Sequence, residues 1–462
     1  MSHIKTEKSQ ISDQIMNESG SSNLQNLRLM PRVLVVAHNP FSDTQNNGKT
    51  LTAFFKFWDP DKLAQLYLTP DVPDFSLCKK FFQINDFDVF KRLFNKKIQG
   101  REIRYSDLSS LRKEGVTNNP ILKIIRKNVS PLMRFLRDLM WQIAGYKTKA
   151  LIEFVDDFDP QVAFLVSSNG VFAFYLTKWI CENKKIPLIM QTTDDYVTGN
   201  FTLNPFYWVH LIRLKRAFQW ACLYSTRIIA IGDKMAHEYR SRFGGNYFVA
   251  MNSSEQLCLP RYRPLNETIK FIYAGNLGLG RWKVLALISD SLSELYDEEG
   301  LKGELSVYSL IDPGEHIRSV LNKAPYSYFK GALNTEELIK VKVDADVLVH
   351  VEAFDRKNRH ITRLSVSTKI PEYLASGRCI FAVGPRDVAS MEYLANNDLG
   401  ILSISGDKRD VKRATREVMI DGHKRIYYAQ KGLDIARKRH NADDVALSLM
   451  KVISNANYPA AY

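Results

Sequence analysis

Nothing in this sequence supplies a disulfide framework or a zinc site. Its five cysteines, Cys78, Cys181, Cys222, Cys258 and Cys379, are scattered through 462 residues and no two stand in C-x-x-C spacing. That pattern excludes the common bridge and metal-ligand arrangements and fits a reducing, cytoplasmic setting. A membrane-spanning run is also missing, because the uncharged stretch 162–177 is interrupted by Ser167, Ser168, Asn169 and Gly170 and reads as a strand followed by a helix start. Residues 1–28 lack the apolar stretch of a signal peptide; rich in Ser, Asn, Gln and charge, they are expected to form a disordered tail. Acid is in deficit. The net charge is +14, and residues 91–149 hold fifteen basic residues against four acidic ones. Such a patch attracts phosphate, in nucleic acid, in anionic lipid headgroups or in lipid-linked diphosphates. A nucleic-acid-binding protein would carry aromatics interleaved with these bases on a recognised module, and none is evident, so no nucleic acid is expected as a partner.

What is present is a repeated grammar of strand, loop and helix. Arg32-Val-Leu-Val-Val-Ala37 runs into a loop that ends at Gly48, and the pattern returns in Val162-Ala-Phe-Leu-Val166, Pro187-Leu-Ile-Met190 and Arg227-Ile-Ile-Ala-Ile231. These runs are continuously apolar, which marks parallel strands covered on both faces. After a Pro- and Arg-bearing stretch at 255–267, taken as a linker, a second series follows in Lys270-Phe-Ile-Tyr-Ala274, Glu304-Leu-Ser-Val-Tyr308, Tyr326-Ser-Tyr-Phe329, Asp346-Val-Leu-Val-His-Val351 and Cys379-Ile-Phe-Ala-Val383. The expected fold is therefore α/β, with two facing Rossmann-like, doubly wound domains. The expected division is an N-terminal domain over 29–260 with a basic insertion near 91–149, a C-terminal domain over 261–440, and a helix over 441–462 packing back on the first domain. Ligands in such sheets bind beyond the carboxyl ends of the strands.

Two constellations carry chemistry. In Tyr273-Ala-Gly275-Asn276-Leu277-Gly278-Leu279-Gly280-Arg281, just past a strand, the glycines let backbone approach an anion and Arg281 offers a bidentate cation. The competing reading makes Gly278 and Gly280 parts of a tight turn. In Ser365-Val-Ser367-Thr368-Lys369-Ile370-Pro371-Glu372-Tyr373-Leu374-Ala375-Ser376-Gly377, Ser367 or Thr368 serves as N-cap, Pro371 suits a first helical turn and Gly377 is a stop. The expected short helix directs its positive end at a diphosphate beside Lys369, with Glu372 placed to accept from ribose hydroxyls. Its bland alternative leaves Lys369 solvated and Glu372 merely favouring the helix dipole. Asp344-Ala-Asp346 is read as a turn from helix to strand rather than a metal site.

Gly275-Asn-Leu-x-x-x-Arg281, followed about ninety residues later by Ser-Thr-Lys-Ile-Pro-Glu-Tyr-Leu-Ala-Ser-Gly377, resembles the C-terminal half of retaining glycosyltransferases of family 4, which have the GT-B fold. The similarity extends upstream through Ile228-Ile-Ala-Ile-Gly-Asp-Lys-Met-Ala-His-Glu-Tyr239 and 249–254. It implies a nucleoside-diphosphate-sugar donor bound by Gly48, Gly275, Asn276, Gly278, Gly280, Arg281, Ser367, Thr368, Lys369 and Glu372. Arg281 takes the place of the family's phosphate-binding lysine and Asn276 that of its arginine. Glu372 matches the second glutamate of the family's E-x7-E motif. The first falls at Leu364, which cannot serve, and Glu352 at the end of a strand is the substitute. Pro187-Leu-Ile-Met-Gln-Thr-Thr193-Asp194-Asp195 resembles the family's strand ending in His-Asp, so Asp194 or Asp195 orients or deprotonates an acceptor hydroxyl, or else caps a loop. The implied catalytic set is Asp194, Glu352, Arg281 and Lys369, with no cofactor and no metal required.

The implied activity is transfer of a hexosyl group to a glycan or lipid-linked acceptor in making a cell-surface polysaccharide such as capsule or exopolysaccharide. A sugar-nucleotide epimerase of the same architecture is the rival enzyme reading. Ser130-Pro131 marks a helix start; Leu132, Met133, Phe135, Leu136, Leu139, Met140 and Ile143 then share one face, opposite Arg134, Arg137, Asp138 and Trp141. With 206–216 it suits an anionic membrane surface at the inner face of the plasma membrane. Ordinary core helices with solvated basic faces are the alternative.

Overall fold

The computed structural model describes residues 30–42, 46–108, 130–200, 202–254, 258–261 and 267–456. The expected tail, residues 109–129 of the basic stretch and most of the expected linker lie outside them. The described residues group into two compact units: those up to Gln191 with 204–228 and from Ala446 onward, and those of 192–203 with 229–445.

Fourteen strands are described: β1 (Val33–Ala37), β2 (Leu63–Tyr67), β3 (Lys80–Gln83), β4 (Arg101–Ile103), β5 (Val162–Val166), β6 (Leu188–Thr192), β7 (Ser225–Ala230), β8 (Tyr247–Val249), β9 (Ile269–Ala274), β10 (Gly303–Tyr308), β11 (Ser327–Gly331), β12 (Val347–Val351), β13 (Cys379–Val383) and β14 (Ile401–Ser403). Helices of the first half are α1 (Asn46–Phe54), α2 (Asp86–Phe94), α3 (Pro131–Ala144), α4 (Lys149–Phe158), α5 (Val171–Lys184), α6 (Pro205–Tyr224) and α7 (Asp233–Phe243). The second half adds α8 (Arg281–Glu299), α9 (Glu315–Leu321), α10 (Thr335–Asp344), α11 (Arg356–Thr362), α12 (Lys369–Ala375), α13 (Ala389–Asn396), α14 (Lys408–Ile420), α15 (Gly422–Arg439) and α16 (Ala442–Ser454).

One sheet runs β4-β3-β2-β1-β5-β6-β7-β8 and the other β11-β10-β9-β12-β13-β14. The strand β1 pairs in parallel with β2 and β5, and β9 with β10 and β12. This is the α/β, Rossmann-like organisation that the apolar runs predict. The edge strand β4 departs from it by running antiparallel to β3. In the second unit Phe271, Leu305, Val349 and Phe381 from the sheet close on Leu285, Ile288 and Leu292 of α8, all fully buried. Burying such side chains contributes about 1.5–3 kcal/mol each, so this core fixes where the strand ends stand.

Strands β2, β3, β4, β8 and β14 are additions to the sequence reading. In β2 and β3 the apolar run is broken by Gln65 and Gln83, which are fully buried. Gln65 accepts from the Phe41 amide at 2.8 Å and donates to the Asn39 carbonyl at 3.1 Å. Gln83 donates to the Tyr67 hydroxyl and the Thr69 carbonyl. These glutamines hold the loops past β1 and β2, and burial with full pairing makes them tolerable inside a strand.

Helix α3 starts at Pro131 with Ser130 as N-cap, as predicted. Its buried side is the reverse of the apolar one, because Asp138, Trp141 and Ala144 face the interior while Leu132, Met133, Leu136 and Ile143 are exposed. Trp141 stacks on Phe172 at 4.1 Å and donates to Asp86 at 2.8 Å. Asp138 binds His210 at 2.6 Å. Among the described residues no helix is long and apolar enough to cross a membrane. The five cysteines are free thiols.

Candidate functional site

The loop after β9 is shaped by its own side chains. Asn276 Oδ1 accepts from the Gly278 amide at 2.7 Å and the Asn276 carbonyl accepts from the Tyr273 hydroxyl at 2.7 Å. Leu279 and Gly280 then take left-handed backbone, φ 57° and 74°, before α8 opens at Arg281. Gly280 is required on two counts. Its φ favours glycine, and a Cβ there would stand 3.0–3.1 Å from Asn358, Ala353 and Asp355 in the segment after β12. Asn276, the residue matched to a family cation, is therefore spent on holding the turn.

At the neighbouring strand end, Glu352 follows β12 directly. It is 2 % exposed, and its amide continues the sheet by donating to the Val383 carbonyl. Arg281 Nη2 reaches Glu352 Oε2 at 3.3 Å. His350, two residues earlier and so on the same strand face, places Nε2 at 3.4 Å from Glu352 Oε1. Burial raises the Glu352 carboxyl, but His350, Arg281 and Lys369 outweigh it and hold the group below its ordinary range. Burial holds His350 low as well, which leaves the imidazole neutral.

Lys369 opens α12. Part of the residue is exposed, yet its ammonium lies over the Tyr273 ring at 4.5 Å and directly beneath Gly275. A Cβ on Gly275 would stand 1.8 Å from Nζ and 2.4 Å from Cε, so only glycine leaves room for the lysine in this position. Burial, and then the charge of Arg281, bring the amine down to about 7 against the opposing pull of Glu352 and Glu372. The amine thus packs against Tyr273 and Gly275, where the alternative reading has it solvated. Thr368 makes no capping hydrogen bond and has helical backbone, while Ser367 Oγ accepts from the Lys369 amide at 3.4 Å, so the capping oxygen belongs to Ser367. The helix is tied to the strand end by Tyr373, whose hydroxyl accepts from the Ala274 amide at 3.3 Å. Glu372 accepts from Lys342 Nζ of α10 at 2.9 Å, and Lys342 is buried.

Of the two aspartates after β6, Asp195 is structural. It accepts from the Val197 and Thr198 amides and from the Tyr239 hydroxyl at 2.8 Å. Asp194 is exposed, accepting from the Tyr196 hydroxyl at 3.0 Å and from Ser365 Oγ at 3.1 Å, which sets it beside the segment leading to Lys369. Gly48 lies in the first unit at the start of α1, where a Cβ would meet the Pro40 carbonyl oxygen at 2.5 Å. Leu364 is fully buried. Asp344 binds Arg261 and Lys270, and Asp346 accepts from the Lys270 amide at 2.9 Å, so this pair ties α10 and β12 to β9.

The second unit thus brings together Arg281, Glu352, Lys369 and Gly275, with Ser367 just before the helix that Lys369 opens, Glu372 on it and Asp194 against Ser365. Sequence reasoning missed His350 and Lys342. The former had a legible signal: a lone polar residue in an apolar strand, in register with Glu352. Lys342 had none, since nothing local marks one lysine of α10 for burial.

No protein-family model and no curated protein sequence matches the chain. Solved structures do. The sucrose-phosphate synthase of Thermosynechococcus elongatus is similar at 10% identity and TM-score 0.58, over 91% of this chain and 98% of that one. Anabaena HepE in complex with UDP-glucose is similar at 11% identity and TM-score 0.58, over 91% and 99%. An α,α-trehalose-phosphate synthase (UDP-forming) of Burkholderia xenovorans in complex with glucose-6-phosphate is similar at 9% identity and TM-score 0.55, over 92% and 100%. Over nearly its whole length, then, this chain has the GT-B fold of those proteins, with two Rossmann-like units.

Proposed function

We propose that the protein is a glycosyltransferase that moves a sugar from a nucleoside-diphosphate donor to a glycan or lipid-linked acceptor, with retention of anomeric configuration, in the assembly of a cell-surface polysaccharide. The observation that carries this reading is the convergence of Arg281 and Lys369 at the carboxyl ends of β9 and β12, with a glycine cut away to admit the lysine. The UDP-glucose bound by HepE and the UDP-forming trehalose-phosphate synthase of like fold support a donor of this class. Retention and the polysaccharide product rest on the motif resemblance, and the basic stretch suits an anionic, lipid-linked acceptor.

In this reading the bond from the anomeric carbon to the diphosphate breaks with negative charge building on the leaving oxygens. Arg281 and Lys369 meet that charge, and such preorganised groups supply the largest share of rate. Lys369 gains its proton as the anion arrives, because an opposite charge beside a buried amine raises its pKa. Glu352 steadies Arg281 by its ion pair. Glu372, set by Lys342, accepts from the donor ribose, while Asp194, set by Ser365 and Tyr196, takes the acceptor hydroxyl. The charge stabilisation comes from side chains, with no metal required.

A panel of nucleoside-diphosphate sugars scored by thermal shift, followed by product analysis with and without acceptor, tests the reading. One donor is expected to raise the melting temperature and to yield a transferred sugar, and Lys369→Ala is expected to lose turnover while keeping its melting temperature. Absence of stabilisation by every donor, or near-normal turnover by that variant, would overturn it.

A further inference from the structure

Helices α2, α3 and α6 of the first unit lie side by side, with α3 packed against both of the others. Each exposes an apolar stripe at helical spacing. On α2 it is Phe87, Phe90 and Phe94, the last 80 % exposed. On α3 it is Leu132, Met133, Leu136 and Ile143, the last 62 % exposed; on α6 it is Phe206, Trp208, Val209 and Ile212. Phe135 and Phe206 join two of the helices at 5.6 Å. Scattered apolar side chains are ordinary at a surface, but three adjacent helices each turning a stripe outward form a patch of the kind that marks a docking site.

Charge decides what docks there. The three helices hold three carboxylates, Asp86, Asp88 and Asp138. Every one is engaged within the unit: Asp86 with Arg137 and Trp141, Asp88 with the Asn85 amide, Asp138 with His210. Around the apolar stripes stand Lys91, Lys96, Lys97 and Arg216, all exposed, with Arg213 and Lys215 half-buried. A cavity of about 470 Å³ between α3, α5 and α6 is lined by Lys147, Lys178 and Arg213 together with Tyr146, Tyr175 and Trp179; its two acids are Asp138, bound to His210, and Glu182, paired with Lys178 at 3.7 Å. Aromatic and aliphatic side chains ringed by cations, with every acid of the same helices already engaged, match the boundary between headgroups and acyl chains of an anionic bilayer. We propose that this face docks the protein on an anionic lipid surface. The inference stands on the first unit alone and does not depend on the transfer chemistry proposed for the second.

The test is flotation of the full chain with vesicles of phosphatidylcholine, alone or with phosphatidylglycerol. Binding is expected to the mixed vesicles, to weaken as salt rises, and to fall at least tenfold in a Phe94→Ser, Ile143→Ser, Ile212→Ser triple variant. The melting temperature without ligand is read in parallel and is expected to be the same in variant and parent, which shows that the variant is folded. Equal binding to neutral and anionic vesicles, undiminished binding by the triple variant, or a stable dimer that the triple variant abolishes without any vesicle binding by the parent would each overturn the proposal.

Discussion

Gly275→Ala is a one-carbon change whose consequence follows from a single distance. The added Cβ would stand 1.8 Å from Lys369 Nζ and 2.4 Å from its Cε. Ordinary van der Waals contact begins near 3.4 Å, so the ammonium must retreat by about 1.6 Å or swing away altogether. The backbone at 275 has no need of a left-handed conformation and its amide bond to the Tyr308 carbonyl survives, so the fold is retained. On the proposed function, what is lost is one preorganised positive group aimed at the leaving diphosphate, a loss that costs on the order of 10²–10³ in kcat. Turnover of the donor in Gly275→Ala, Lys369→Ala and the double variant decides the matter. Each single variant is expected to fall about a hundredfold or more, and the double variant to be no worse than Lys369→Ala, because both changes remove the same interaction. Gly278→Ala is the control, since its added carbon meets only the Asn276 side chain at 3.0 Å and small losses are expected. Gly275→Ala retaining turnover within about threefold of the parent, or a double variant whose loss equals the product of the single losses, would show that the glycine and the lysine do not act as one device.

Three further outcomes follow from the same geometry. Lys369 titrates near 7 in the free protein, and a bound diphosphate raises it, so donor binding at pH 7.5 is expected to take up about three-quarters of a proton, read by calorimetry in buffers of different ionisation enthalpy; Lys369→Met should abolish the uptake. Lys342→Met leaves Glu372 without the ammonium that positions it, and the expected result is a donor KM raised about tenfold with kcat little changed, the signature of lost uniform binding. His440, buried with Tyr393 donating to Nε2 at 2.7 Å and Nδ1 donating to the Asn252 carbonyl, is brought down to about 4, by burial first. In the unfolded chain this imidazole protonates near 6.5 and in the folded one only near 4, so stability falls as pH drops through that window, by roughly 3 kcal/mol, and levels off below it. Thermal melts between pH 7 and 4 check this, and His440→Gln should flatten that part of the profile.

The fold was legible wherever a strand is buried on both faces, because a continuous apolar run such as Val33-Leu-Val-Val-Ala37 has one reading. It was not legible where burial is conferred from a distance. Gln65 and Gln83 look like breaks until the loops they bind are known. Helix α3 shows the same effect with the opposite sign. Its stripe of Leu, Met and Ile suggests an inward face, but Asp86, 55 residues from Trp141, and His210, 72 residues from Asp138, supply hydrogen bonds that draw the polar side in. Position along the chain hides such pairing, since it is set by long-range contacts rather than by spacing. In the second unit Glu352 was readable as the residue closing an apolar strand, and Lys369 as the opening of a short helix. That a glycine far upstream, at 275, makes room for that lysine was not.

The electrostatics of the second unit explain why a lysine under a glycine suits anion binding better than a lysine in the open. Two full cations side by side would repel, and the Glu352 carboxylate, paired with Arg281 at 3.3 Å, offsets only one of them. The amine of Lys369 relieves the remainder by titrating near neutrality, so before a ligand arrives its charge is only partly present. In the proposed function, an arriving diphosphate restores that charge at the place where it stabilises the ligand most. Buried beside Tyr273, the ammonium has little water to shed as the anion approaches, and the attraction is correspondingly stronger than at a solvated surface. The asparagine at 276 fits this arrangement: a second permanent positive charge there would drive Lys369 further toward neutrality, whereas Asn276, which accepts from the Gly278 amide, shapes the loop and leaves the lysine free to respond.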